Sequence, residues 1–168
     1  MYPVMMKTPF HEFCLKTGVL CQQCRQRISD GELSDVDLAI SKFLITAEYR
    51  DTESRQAEFT KSYEGKSLIL VKLAKGSLGK IHPAIQDIEK DISKVIGKKA
   101  LFFEEGEHLQ TVVQRFSSPA KIGSTRKSWL PDGTSTTSIK LSGQTGKDLS
   151  ELSELLSKAY GATINIST

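Results

Sequence analysis

All three cysteines of the chain lie within eleven residues, close behind a histidine. The stretch HEFCLKTGVLCQQC contains four candidate metal ligands: His11, Cys14, Cys21 and Cys24. They form two pairs, each bracketing two residues, and Gly18 lies between the pairs, where the chain must reverse. Thiolate sulfur and imidazole nitrogen are the usual ligands of tetrahedral zinc. The spacing therefore predicts a zinc site. The alternative is three reduced cysteines and an unrelated histidine.

A zinc ion held by four protein ligands has no open coordination position, so the predicted ion is structural. Its role would be to fold a leader, residues 1–33, that has few apolar side chains of its own. The sequence contains no HExxH, P-loop or GxSxG motif. The acidic residues Glu104, Glu105 and Glu107 have no neighbour that would complete an acid–base pair. We therefore expect no enzymatic activity.

The cysteine count and the hydropathy pattern bear on the cellular compartment. An odd number of closely spaced cysteines does not suit a secreted disulfide framework and favours a reducing compartment. No apolar run approaches the roughly 18 residues needed to span a membrane. The opening MYPVMM lacks the basic leader and the small-residue cleavage site of a signal peptide. We expect a cytoplasmic protein that makes no membrane contact.

The sequence of residues 34–104 predicts a helix, two strands, a helix and a strand, in this order. Ser34 and Asp37 form a capping box at the start of the first helix, which has its apolar residues at helical spacing. The stretch FTKSYEGKSLILVKLAKG predicts two strands around Glu64-Gly65. The second helix carries an isoleucine-rich stripe and ends at Gly97, and ALFFEE predicts the last strand.

Residues 105–168 repeat this order. GEHLQTVVQRF and KDLSELSELLSKAYG predict helices, whereas AKIGSTRKSWL, STTSIKL and ATINI predict strands. The turn PDG joins the first two of these strands. A repeat of this length predicts two tandem α+β modules, 34–104 and 105–168, preceded by the zinc-binding leader.

The order of these motifs resembles the type II KH domain, and more closely the tandem KH pair of the NusA family of transcription factors. The best match is SPAKIGSTRKSWLPDGTSTTSIKL followed by LSELLSKAYGATINI. FCLKTGVLCQQC followed by ELSDVDLAISKFL is similar to the start of short archaeal NusA-like proteins. The resemblance implies a fold of two type II KH-like modules, single-stranded RNA as partner, and a role in transcription elongation or termination.

KH domains hold the nucleic-acid backbone with a G-x-x-G loop, where glycine leaves the backbone N–H groups accessible. Aligned by its closing glycine, the first module has Pro83-Ala84-Ile85-Gln86 at this position, without glycine. Its alternative is Gly76-Ser77-Leu78-Gly79. The second module has Gly143-Gln144-Thr145-Gly146 between a strand and a helix, which fits the pattern better.

Charge is distributed unevenly along the chain. Residues 71–101 carry seven lysines against three acids, and residues 121–147 carry five bases against Asp132 alone. This pattern suits a polyanion-binding surface, with ordinary surface scatter as the alternative. The expected RNA-binding residues are Lys80, Arg126, Lys127, Lys140, Gly143, Gln144, Thr145, Gly146 and Lys147.

Two further questions stay open on sequence alone. Trp129 is either a core residue or a platform on which a base stacks. The modules themselves either bind single-stranded RNA or serve as a non-catalytic scaffold that contacts RNA polymerase or the ribosome.

Overall fold

Two three-stranded sheets and their helices make up most of the chain. The protein is described here by a computed structural model, which covers residues 7–46, 56–81, 85–145 and 148–168. The chain divides into two compact units: the first comprises the described residues within 1–62 and 69–106, and the second comprises 63–68 and 107–168. The predictions for Pro83, Ala84, Gly146 and Lys147 concern residues outside the described ranges.

The leader forms two short helices, which sequence patterns alone did not predict. They are α1 (Glu12–Thr17) and α2 (Gln22–Ser29). Gly18 ends α1 with φ +75°, a conformation that glycine adopts without strain, and it reverses the chain as expected. Phe10, Leu15 and Leu33 are buried with Cys14 and Cys24 in a small cluster. Leu38 and Ile45 of the following helix pack against this cluster, so the leader shares its small apolar core with that helix.

The remaining elements of the first unit enclose a larger apolar cluster, which contains Ile40, Phe59, Val71, Ile88 and Phe102. The sheet order is β1-β2-β3. The central strand reads LILVKL and is buried at five of its six positions, as is typical of a strand covered on both faces. The elements are α3 (Asp35–Thr46), β1 (Phe59–Glu64), β2 (Leu68–Leu73), α4 (Ser77–Ile81), α5 (Ile85–Ile96) and β3 (Lys99–Glu104).

The predicted capping box begins α3. The Ser34 N–H donates to Asp37 Oδ2 at 2.8 Å, and the Asp37 N–H donates to Ser34 Oγ at 3.2 Å. The structure adds a partner that the local pattern does not show. Asp37 Oδ1 accepts hydrogen bonds from both the N–H and the hydroxyl of Ser62, each at 2.6 Å. The fully buried carboxylate therefore joins the start of α3 to β1.

The first unit has one helix more than the predicted order. Residues 77–81 form α4, directly after β2, where the sequence suggested a glycine loop. Three contacts favour the helix. The Leu78 N–H donates to Glu104 Oε2 at 2.9 Å, Ser77 Oγ accepts from the Glu58 N–H at 3.0 Å, and Ile81 is buried. Gly79 therefore lies within a helix rather than in a free loop.

The second unit follows the predicted order. Its elements are α6 (Leu109–Ser117), β4 (Lys121–Trp129), β5 (Ser135–Ser142), α7 (Leu149–Tyr160) and β6 (Thr163–Ser167). Strand β5 is central, antiparallel to β4 and parallel to β6. Asp148 caps α7 by accepting from the N–H groups of Ser150 and Glu151. The predicted apolar stripe of α7 is buried at Leu152, Leu155 and Leu156.

Alternation along β5 and β6 separates a buried face from an exposed one, whereas β4 is exposed along almost its whole length. Ile139, Leu141, Ile164 and Ile166 are buried on the first face. We call the opposite face of β4, β5 and β6 the open face. A bulge at Gly123 shifts the register, so that Ile122 lies opposite buried Leu141 while Ser124 lies opposite exposed Lys140.

Candidate metal centre and nucleic-acid interface

The four predicted metal ligands lie together. One ligand atom from each of His11, Cys14, Cys21 and Cys24 can be chosen so that all four atoms are within 4.8 Å of one another. The three cysteines are free thiols. A tetrahedral zinc site with bonds of about 2.3 Å separates its sulfur atoms by roughly 3.8 Å, so small side-chain adjustments would close the four donors around one ion.

Secondary structure explains why a spacing of two residues produces this cluster. His11 and Cys21 are the N-cap residues of α1 and α2. Cys14 and Cys24 are each the third residue of the helix that follows. Side chains at the N-cap and at the third helical position face each other across the first turn, as they do in a capping box. Two such helix starts, brought together by the turn at Gly18, supply one pair of ligands each.

Hydrogen bonds within the cluster reach the sulfur atoms. His11 Nδ1 lies 3.2 Å from Cys21 Sγ, and the Cys21 N–H donates to Cys14 Sγ at 3.2 Å. The Cys24 N–H donates to Cys21 Sγ at 3.5 Å. Donors directed at sulfur favour the thiolate, which is the form that binds metal.

The two titration shifts in the cluster have different causes. The backbone N–H of Cys24 is the main reason that the pKa of Cys21 falls to about 6. Partial burial opposes this shift, and the side chains of Cys14, Cys24 and His11 reinforce it. Burial raises the pKa of the Cys24 thiol. Cys14 and Cys24 are 1% exposed, whereas His11 lies at the surface. The site thus has a buried thiol side and a solvent-facing imidazole side.

This donor set fits a metal ion. It has the chemistry of a closed structural site, with three sulfurs, one imidazole nitrogen and no fifth donor from a described residue. Within the described residues, no other group of three or more histidine, cysteine or acidic side chains meets the same proximity test.

The predicted RNA-binding residues on the strands of the second unit lie on two faces of its sheet. Arg126 and Lys140 lie on the open face, because Arg126 is paired with Ser138, and Lys140 with Ser124 and Ser167. Lys127, the next residue along β4, points to the opposite side, and its Nζ lies 4.4 Å from the centre of the Trp129 ring. Lys80 lies in the last turn of α4, in the first unit. Trp129 is 67% exposed, so it is not a core residue.

The described part of the second glycine loop, residues 143–145, follows β5 directly. Gly143 has φ +95°, which only glycine adopts readily, and a Cβ atom there would lie 3.6 Å from Ala120 Cα. Gln144 is exposed and Thr145 is half-buried. In the first unit, by contrast, Ile85 and Gln86 of the sequence-aligned position are the first residues of α5.

One cation of the open face was missing from the predicted set. Lys121 is paired with Ser142 and lies on the same face as Arg126 and Lys140. Strict alternation along β4 would have assigned Lys121 and Arg126 to opposite faces. The bulge at Gly123 brings them to one face, and nothing in the local sequence other than the glycine itself indicates a bulge there.

Comparisons with known proteins do not identify a family. No family model matches the chain, and no curated protein matches it. Solved structures do match, among them the crystal structure of a protein designated APE1850. That match has a TM-score of 0.44 and 20% sequence identity, and it covers 61% of this chain and 79% of the other.

Within the described residues, no helix is both long enough and apolar enough to cross a bilayer.

Proposed function

We propose that the protein binds single-stranded RNA without catalysis, through two KH-like modules, and that a zinc ion folds its leader. The observation that carries the RNA-binding proposal is the cation set on β4 and β5. Lys121, Arg126 and Lys140 share one exposed sheet face, and no ion pair joins them to a carboxylate among the described residues. Exposed cations without acidic partners are available to phosphates.

The KH-like part of the proposal rests on element order. The first unit runs helix, strand, strand, helix, helix, strand, from α3 to β3. The second unit has the same order with one helix fewer among its described residues, in which α7 is the next element after β5. The mixed sheet, with its central strand antiparallel to one neighbour and parallel to the other, is compatible with the type II arrangement.

Zinc is the metal that suits this ligand set best. Three thiolates and one imidazole form the common Cys3His structural combination, and softer sulfur ligands disfavour magnesium, calcium and manganese. By the resemblance to NusA-like proteins, the process served would be transcription elongation or termination, with RNA polymerase or the ribosome as a further partner.

The test is a titration of the full chain with short single-stranded RNA at several salt concentrations. We expect the logarithm of the association constant to fall linearly with the logarithm of the salt concentration, with a slope of roughly −0.7 for each phosphate contact. Gln144→Asp puts a carboxylate into the exposed loop and should weaken binding. Gln144→Asn introduces a side chain of the same size as aspartate but without charge, and it should not weaken binding. A wild-type protein without salt-dependent RNA binding would contradict the proposal and favour the scaffold alternative.

A further inference from the structure

The open face of the second sheet has an unusual composition. Its charged residues are Lys121, Arg126 and Lys140, and every other position on it is serine, threonine or Asn165. It carries no carboxylate and no apolar or aromatic side chain. All of these residues are exposed except Thr136, which is half-buried. In a chain with 20 acidic residues against 23 basic ones, this face is set apart by its charge.

The strand register places the three cations in a line. Lys121 lies in the row of Ser142, Lys140 in the row of Ser124, and Arg126 in the row of Ser138. These are successive rows of the open face. Diagonal neighbours on adjacent strands are about 7–8 Å apart. The cations therefore alternate between β4 and β5 at roughly even intervals, which suits a linear polyanion better than a single compact anion.

The hydroxyl and amide groups around the cations point to the class of polyanion. Phosphate and sugar oxygens in nucleic-acid complexes are contacted by arginine and lysine together with serine, threonine and asparagine. Because the open face has no aromatic side chain, it offers no platform on which bases could stack. A strand bound here would be held by its backbone, with its bases directed away from the sheet.

We propose that the open face binds the sugar–phosphate backbone of single-stranded RNA, independently of base sequence. This inference rests on the proposed function and locates the contact on the sheet surface, at Lys121, Lys140 and Arg126. Three phosphate contacts give an expected salt slope of about −2.

The experiment compares Arg126→Ala and Lys140→Ala with Lys158→Ala in the full chain. Lys158 lies on α7, where it pairs with Glu154, and its removal changes the net charge by the same amount. Each variant is titrated with oligouridylate and oligoadenylate of equal length. Arg126→Ala and Lys140→Ala should each weaken binding several-fold for both oligonucleotides and reduce the slope by about 0.7. Lys158→Ala should leave binding unchanged.

Several outcomes would overturn the inference while leaving the proposed function intact. Wild-type binding that Lys127→Ala weakens more than either open-face substitution would place the strand on the opposite side, beside Trp129. A large difference between the two oligonucleotides would show that bases are read. Polyglutamate that competes as well as RNA of equal charge would show that the face does not recognise a phosphodiester backbone. If the wild type binds no RNA, the proposed function fails and the inference fails with it.

Discussion

Glu151 illustrates how one side chain organises the second unit. Its Oε1 accepts hydrogen bonds from the N–H groups of Ser67 and Leu68, at 2.6 and 2.8 Å, and its Oε2 accepts from the Ser67 hydroxyl at 2.6 Å. Partial burial would raise the pKa of Glu151, but these hydrogen bonds outweigh burial and lower the pKa. The charged form is therefore favoured when the unit is folded.

The lowered pKa predicts a pH dependence of stability. An unfolded glutamate has a pKa of about 4.3. Near that pH the unfolded chain binds more protons than the folded one. The contribution of the charged Glu151 to the free energy of unfolding is therefore complete above this pH. It is lost as the pH falls through the lower folded pKa. Glu151→Gln should reduce the free energy of unfolding by about 1 kcal/mol at pH 7, and the difference from wild type should vanish in acid.

Chemical denaturation at a series of pH values measures this difference. Glu154→Gln is the matched control, because Glu154 forms an exposed ion pair with Lys158 on the surface of α7, and it should have little effect at any pH. A cost of Glu151→Gln that stayed constant down to pH 2.5 would contradict the role given to the charge.

Asp37 shows how much of a residue's role the sequence can reveal. Its capping box with Ser34 is a local pattern of four residues, so the sequence predicts it and the structure confirms it. Its bonds to Ser62 were not predictable, because they span 25 positions and arise only when β1 packs beside α3. The same limit applies to Glu151 and Ser67, which lie 84 positions apart.

At the scale of elements, the amphipathic helices and the strands could be predicted from the sequence, whereas the short helices could not. The stripes of α5 and α7 repeat over three turns, which makes the pattern strong. Helix α4 has only five residues, one of them Gly79, and depends on contacts with Glu58 and Glu104. Since short helices are marginal in isolation, tertiary contacts rather than local sequence determine whether they form. The metal ligands, by contrast, could be predicted from the spacing of histidine and cysteine residues within the leader alone.

The leader gives a prediction at this scale. We expect protein purified without chelator to contain one zinc ion per chain, measured by elemental analysis. Cys21→Ser removes one thiolate ligand. It also removes the sulfur atom that accepts a hydrogen bond at the N-terminus of α2. It should lower the zinc content and increase amide exchange in residues 7–33, because metal binding and leader folding are coupled. The sheet β1-β2-β3 should keep its protection, since its apolar cluster contains none of the ligands.

Gln23→Ser is the control for this substitution. Gln23 is exposed, lies between two ligands and offers no sulfur or imidazole, so its replacement should change neither the zinc content nor the exchange. A fully folded, metal-free wild type with three freely titratable thiols would rule out the structural zinc.

At the scale of the whole molecule, the division into units does not follow the chain. Residues 63–68 comprise the end of β1, the turn that follows it and the first residue of β2, yet they belong to the second unit together with residues 107–168. The sequence predicted a boundary near residue 105, which stays a prediction. It could not have assigned this turn to the second unit, because hydrogen bonds to a residue as distant as Glu151 are not encoded in any local pattern.

This division predicts which amides respond to a change in the second core. Ile164 is 2% exposed on β6, and Ile164→Val removes one methylene group from that core. The substitution should cost about 1 kcal/mol, which is small enough to leave the chain folded. Hydrogen exchange under native conditions reports each cooperative unit separately. We expect faster exchange at β5, α7 and Leu68, whose N–H is bound by Glu151, and unchanged exchange at Val71 and Phe102.

Ile92→Val, in the core of the first unit, is the reciprocal control and should produce the opposite pattern. Equal acceleration at Leu68, Val71 and Phe102 in both variants would show that the chain opens as a single unit, whereas Leu68 following the first unit would show that the turn belongs with its own strands.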